Sequence, residues 1–259
     1  MHYVIRGVVA LVVVALLSVS LAACDVGTAD DNGAGADGDG EDLDNGDGPG
    51  DGQLADDGTY DIDADGIPRF AAADYINLGS IHRISKFRSG VGHDYWDSVE
   101  SCRSLKHYFE PAAGVVWSAV RVYSPVDGAV VRTNEEWAGA QVHVQSDDYP
   151  AFTFILFHVS LSEPLAVGDT VAAGQQLGTH IGTQTMSDVA VGVSTPNGWR
   201  LVSYFDVMTD SVFAAYKARG VTARSDVVIS KEARDADPLA CDGEAFADEG
   251  NLENWGILD

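Results

Sequence analysis

The stretch VGDTVAAGQQLGTHIG, residues 167–182, decides the fold. Within it G-D-x-V-x-x-G-Q-x-L-G (168–178) spaces apolar residues between glycines, and glycine enters tight turns with positive φ at no steric cost. The pattern predicts two turns, with the apolar residues between them pointing inward. Working outward, AGVVWSAVRVYSP (113–125), GAVVRT (128–133), QVHVQS (141–146), AFTFILFHVS (151–160), SDVAVGV (187–193) and RLVSYFDV (200–207) are short and rich in β-branched and aromatic residues. Turn signals separate them, at Pro125–Gly128, Glu163-Pro164 and Pro196–Gly198. A helix is predicted only after Thr209, where Val212, Phe213 and Tyr216 share a face and Gly220 ends the run. The expected class is mostly β: an antiparallel sandwich or small barrel with one helix in the C-terminal half.

The flanks set the compartment. MHYVIR (1–6) followed by GVVALVVVALLSVS has the charged start and short apolar run of a secretory signal, here residues 1–23. Its ending, LAAC, resembles a bacterial lipobox, which makes Cys24 the expected lipidated residue of a membrane-anchored extracytoplasmic protein. In a cell with two membranes, Asp25 directly after Cys24 resembles the signal for retention in the inner one. Residues 24–66 read as a linker: positions 25–66 hold 15 of the 40 acidic residues, 11 of the 28 glycines and no Lys or Arg. Such a segment buries too little apolar area to offset chain entropy and is expected to be disordered. Its tail, Asp61-Ile-Asp-Ala-Asp65-Gly66, begins like a calcium loop, but the twelfth position, 72, is Ala where a full loop carries an acid. Beyond residue 66 one domain is expected, 67–259, still net acidic within a chain of formal charge −25. That balance excludes nucleic acid as a partner. With Cys24 lipidated, Cys102 and Cys241 remain, and an oxidising compartment makes their disulfide the default.

Together with SPVDGAVV (124–131), the glycine pattern looks like a barrel-sandwich hybrid, a fold shared by biotinyl/lipoyl carriers and lysostaphin/LytM-type zinc peptidases. A carrier needs a Lys on the hairpin between its halves, and none lies between Lys106 and Lys217. The chain resembles the peptidases instead. GHDYWD supplies His93 and Asp97 at the H-x-x-x-D spacing of two zinc ligands, and FHVSL sets His158 where the family has a catalytic His. The resemblance covers roughly residues 89–207 and implies cell-wall peptidoglycan as the substrate class. It breaks where the family carries an H-x-H pair: those positions here are Asp188 and Ala190, or Val202 and Tyr204 if SYFDV is set against the family's strand ending, and neither setting recovers the pair. A hydrolytic zinc needs three protein ligands and one open position, where bound water becomes acidic enough to attack a carbonyl. Two ligands hold zinc poorly.

The expectation is therefore a lipid-anchored LytM-like domain that has lost the standard zinc site and, without catalysis, acts by binding cell wall, an envelope enzyme or another envelope protein. One alternative is a zinc hydrolase in which His93 and Asp97 recruit Asp188, Cys102 or His107 as further ligands. Another is a structural lipoprotein in which His93 and Asp97 merely hydrogen-bond to each other. His107, between Lys106 and Tyr108, reads as a packed histidine, and His143, between two valines, faces solvent. Arg103 and Lys106 read as salt-bridge partners or as contacts for an acidic ligand.

Overall fold

The computed structural model describes residues 58–183 and 185–259. The expected signal segment 1–23, Cys24 and the expected linker up to residue 57 lie outside the described residues. Residues 58–66, expected as the end of a disordered linker, belong to the fold instead: Tyr60 is buried and packs edge-on against Tyr149 and Phe152. Asp61 spends its carboxylate on a local turn, accepting from the N–H groups of Asp63 and Ala64.

The architecture is antiparallel β. In chain order the strands are β1 (Ile81–Ser85), β2 (His107–Pro111), β3 (Arg121–Tyr123), β4 (Gly128–Glu136), β5 (Gly139–Ser146), β6 (Phe152–Leu161) and β7 (Thr170–Val171). There follow β8 (Gln176–His180), β9 (Ser187–Thr195), β10 (Gly198–Val202), β11 (Cys241–Asp242), β12 (Ala245–Phe246) and β13 (Trp255–Ile257). The main sheet runs β13-β1-β2-β9-β6-β5-β4-β7, with β10 added to β9 and β8 bridging β6 to β3; β11 and β12 form a separate hairpin. The opening stretch makes β7 and β8, with Gly168 and Gly174 at φ of 97° and 78° and Val171 and Leu177 buried, as the glycine pattern predicts.

Strand β6 explains how the sheet is held. Phe152, Phe154 and Leu156 point into the larger core, while Ile155 and Phe157 point the other way into a smaller cluster with Phe87, Leu105, Ala190 and Leu201. Successive side chains alternate faces, so a strand covered on both sides reads as a continuous apolar run, which is what FTFILF is.

The helix expected after Thr209 is α2 (Asp210–Lys217): the Thr209 hydroxyl accepts from the Val212 N–H, and Phe213 and Tyr216 are buried. Two shorter helices, α1 (Tyr204–Val207) and α3 (Lys231–Ala236), are too brief to show a 3.6-residue period and start at caps, Ser203 and Ser230. The expected strand 113–125 shrinks to β3, because Trp117–Ala119 form a 3-10 turn.

Candidate functional site

Three kinds of element converge on a cleft of about 590 Å³. Loop 92–96 forms one side, the tip of the β4–β5 hairpin (Glu136, Trp137, Gln141) another, and Phe157–His158 of β6 the back. Thr185, Met186 and Glu244 complete the lining.

The floor is built by register. Tyr108 on β2 lies opposite Asp188 on β9, so Lys106, two residues earlier, shares that face. Lys106 is 2% exposed and Asp188 0%, and the ammonium Nζ stands 2.5 Å from Asp188 Oδ2. The two form a close, fully buried ion pair. Around the same ammonium lie the rings of Phe157, Tyr95 and Tyr108 at 4.2, 4.8 and 4.9 Å, an aromatic box for a cation. Burial is the largest influence and disfavours the Lys106 charge, but Asp188 together with Tyr108 and Tyr95 outweighs it, so the pKa rises and the group stays an ammonium at neutral pH. Burial likewise pushes Tyr95 and Tyr108 up to about 12, which keeps both hydroxyls protonated.

Two histidines close the arrangement. His93 Nδ1 lies 2.9 Å from Asp94 O and Nε2 lies 3.2 Å from Lys106 Nζ, so Nδ1–H donates to the carbonyl and Nε2 accepts from the ammonium. His158 is aimed by a β-bulge. Between the pairs Ala140↔Val159 and Val142↔Leu156, β6 carries one residue more than β5, and His158 takes a φ of 61°. Strict alternation would send His158 to the face opposite Phe157; the left-handed step brings it round to Asp188, with Nε2 3.3 Å from Oδ1. Its Nδ1–H donates to Ala138 O at 3.0 Å.

Asp97 does not join His93. One of its oxygens accepts from the N–H groups of Val99 and Glu100, and the other from the Leu201 N–H, with Arg200 at 3.4 Å; it fastens the loop to β10. His107 is core: Nδ1 is 2.8 Å from Ser85 O, Nε2 is 2.8 Å from the Ser203 hydroxyl, and burial lowers its pKa to about 4. Cys102 is bonded to Cys241 and offers no thiolate. Arg103 pairs with Glu100 and Asp235. His143 is half-buried rather than solvent-facing, hydrogen-bonded to Gln141. Of the residues expected to hold or serve a metal, His93, His158 and Asp188 therefore meet, around an ammonium.

Among the described residues no three His, Cys, Asp or Glu side chains form a group that would hold a metal ion. The donors present fit zinc poorly, since the position between His93 and Asp188 is filled by Lys106 and each imidazole nitrogen there already faces a protein group. Lys106 was readable from sequence only as a Lys set among Leu105, His107, Tyr108 and Phe109, where a charge is expected to find a buried partner. Glu244 and the C-terminal rim carried no signal at all.

No protein-family model matches the chain, and no curated protein matches it. The structural neighbours are domains of LytM, lysostaphin and related kinds. One is a candidate glycyl-glycine endopeptidase LytM from Ruminococcus gnavus, 15% identical over 50% of this chain, with a TM-score of 0.32. Another is a chain of the SpoIIQ–SpoIIIAH pore-forming complex, 14% identical over 58% of this chain and 98% of its own, TM-score 0.38. Lysostaphin is 16% identical over 43% of this chain and 48% of its own, TM-score 0.28. The chain spans 59% of the Ruminococcus protein.

Proposed function

We propose that this chain is a LytM-like, extracytoplasmic binding domain, lipid-anchored through Cys24, that engages cell wall or an envelope protein through the cleft and performs no metal-dependent hydrolysis. The observation that carries this reading is the Lys106 ammonium, 2.5 Å from Asp188 and 3.2 Å from His93. It supplies internally the positive charge that Asp188 demands. His158 has Nδ1 on Ala138 O and Nε2 3.3 Å from Asp188, so both nitrogens of each cleft histidine face protein groups rather than the open cleft, which argues against either one positioning a water. What remains available to a partner is the rim and its aromatic walls.

The competing reading, a peptidoglycan-directed zinc hydrolase, requires Lys106 to leave so that His93, His158 and Asp188 can ligate. The two are separated by metal analysis of protein purified without chelator, combined with incubation on isolated cell-wall sacculi. Binding to sacculi without release of soluble fragments and without bound metal is expected. Stoichiometric zinc together with fragment release would overturn the proposal. Failure to bind sacculi would leave an envelope protein as the partner, to be recovered by cross-linking in intact cells and lost with Trp137→Ala.

A further inference from the structure

Apart from Lys106 and the two histidines, the ionisable acids and bases of the cleft lining that carry charge at neutral pH are carboxylates. Asp94, Glu136 and Glu244 line it, and the side chains of Glu136 and Glu244 make no ion pair or hydrogen bond among the described residues. The cationic group of the lining, Lys106, is neutralised from beneath by Asp188, and both cleft imidazoles are committed to protein partners. An anionic ligand would therefore meet repulsion at the rim and no free donor charge at the floor. Two indoles stand at the same rim, Trp96 at 61% and Trp137 at 79% exposure, which is costly surface to leave in water without a partner. Deeper in, three rings already hold one ammonium, that of Lys106.

From this we infer that the cleft is a recognition site for an ammonium group, primary or quaternary, borne on the partner. The indoles of Trp96 and Trp137 offer cation–π faces and Glu136 and Glu244 the countercharge. The inference rests on the binding role proposed above and names its ligand class. A cationic ligand is also what the net charge of −25 attracts over distance.

The test is titration calorimetry of the purified full-length chain with four probes: choline, 1,5-diaminopentane, an N-acetylglucosamine trimer and succinate. The two cations are expected to bind, more tightly at low ionic strength, and the neutral sugar and the dianion not to. Trp137→Ala and Glu136→Gln are each expected to weaken cation binding about tenfold. Both side chains sit at an exposed hairpin tip, so circular dichroism should report an unchanged fold. Sugar binding that depends on Trp137 while the cations fail would overturn the ammonium assignment yet leave the cleft a binding site. Failure of all four probes would overturn it too, and sacculus binding that survives Trp137→Ala would remove the cleft from the proposed function as well. Cation binding indifferent to both substitutions would place the ammonium site elsewhere and sink the inference.

Discussion

Lys106 and Asp188 are both withdrawn from water, so each is tolerable only because of the other. Lys106→Met should leave an uncompensated carboxylate and cost about 3–5 kcal/mol in urea unfolding, whereas Lys106→Met combined with Asp188→Leu should recover most of that loss. A cost below about 1 kcal/mol for the single change would mean that the pair behaves as a surface salt bridge. His107 makes a separate prediction through pH. Its folded pKa, about 4, lies below the 6.5 of the free side chain, so the unfolded chain takes up the proton first as pH falls. The stability it contributes is present above 6.5 and is lost between 6.5 and about 4, amounting to about 3 kcal/mol. Denaturation midpoints of the parent should drop across that window. His107→Gln, whose amide cannot titrate, should show a shallower drop; identical slopes would refute the assignment.

At the scale of elements, the cleft depends on two departures from regular geometry. One is the bulge that re-aims His158, and the other is the loop that crosses Tyr108. Gly92 has a φ of 78°, and a Cβ built on it would stand 2.1 Å from Tyr108 Cζ. Gly92→Ala should therefore push the loop off the ring, costing about 1–3 kcal/mol and loosening the His93–Lys106 contact. A crystal structure of the variant with that contact intact and no loss of stability would count against this. These features also mark where sequence reading ends. The β6 run FTFILF and the glycine turns of 168–178 announce themselves, because composition and period follow directly from two-sided burial and positive φ. His158 was placed in the site through a resemblance, while the bulge that aims it there has no sequence signature. Asp97 sits four residues after His93, yet spacing in a loop does not fix a shared direction, and its carboxylate is consumed by backbone N–H groups instead. Strands β1 and β2 carry no such sign, as IHRIS and HYFEP are short, polar-interrupted and bracketed by long irregular segments.

For the molecule as a whole, the C-terminal forty residues behave as a brace rather than a tail. β13 pairs with β1 at the sheet edge, Glu249 packs against Gly90, and the Glu244 carbonyl accepts from the Asp94 N–H beside the cleft. The disulfide Cys102–Cys241 spans 139 residues and joins this brace to the segment between the cleft loop and β2. Closing so long a loop restricts the unfolded chain strongly, so reduction should destabilise the domain by about 2–5 kcal/mol. Its local effect is more telling. The short β11–β12 hairpin that follows Cys241 carries Glu244, and its hold on the cleft loop would rest on the Asp94–Glu244 hydrogen bond once the sulfurs part. Reduction, or Cys102→Ser with Cys241→Ser, is therefore expected to accelerate amide exchange in residues 92–96 and 241–246 while leaving β5, β6 and β9 protected. Hydrogen exchange read by mass spectrometry distinguishes this from general loosening. Uniform acceleration across the central strands would show that the bridge stabilises the whole fold through the unfolded state alone, and that the cleft loop is held by other contacts.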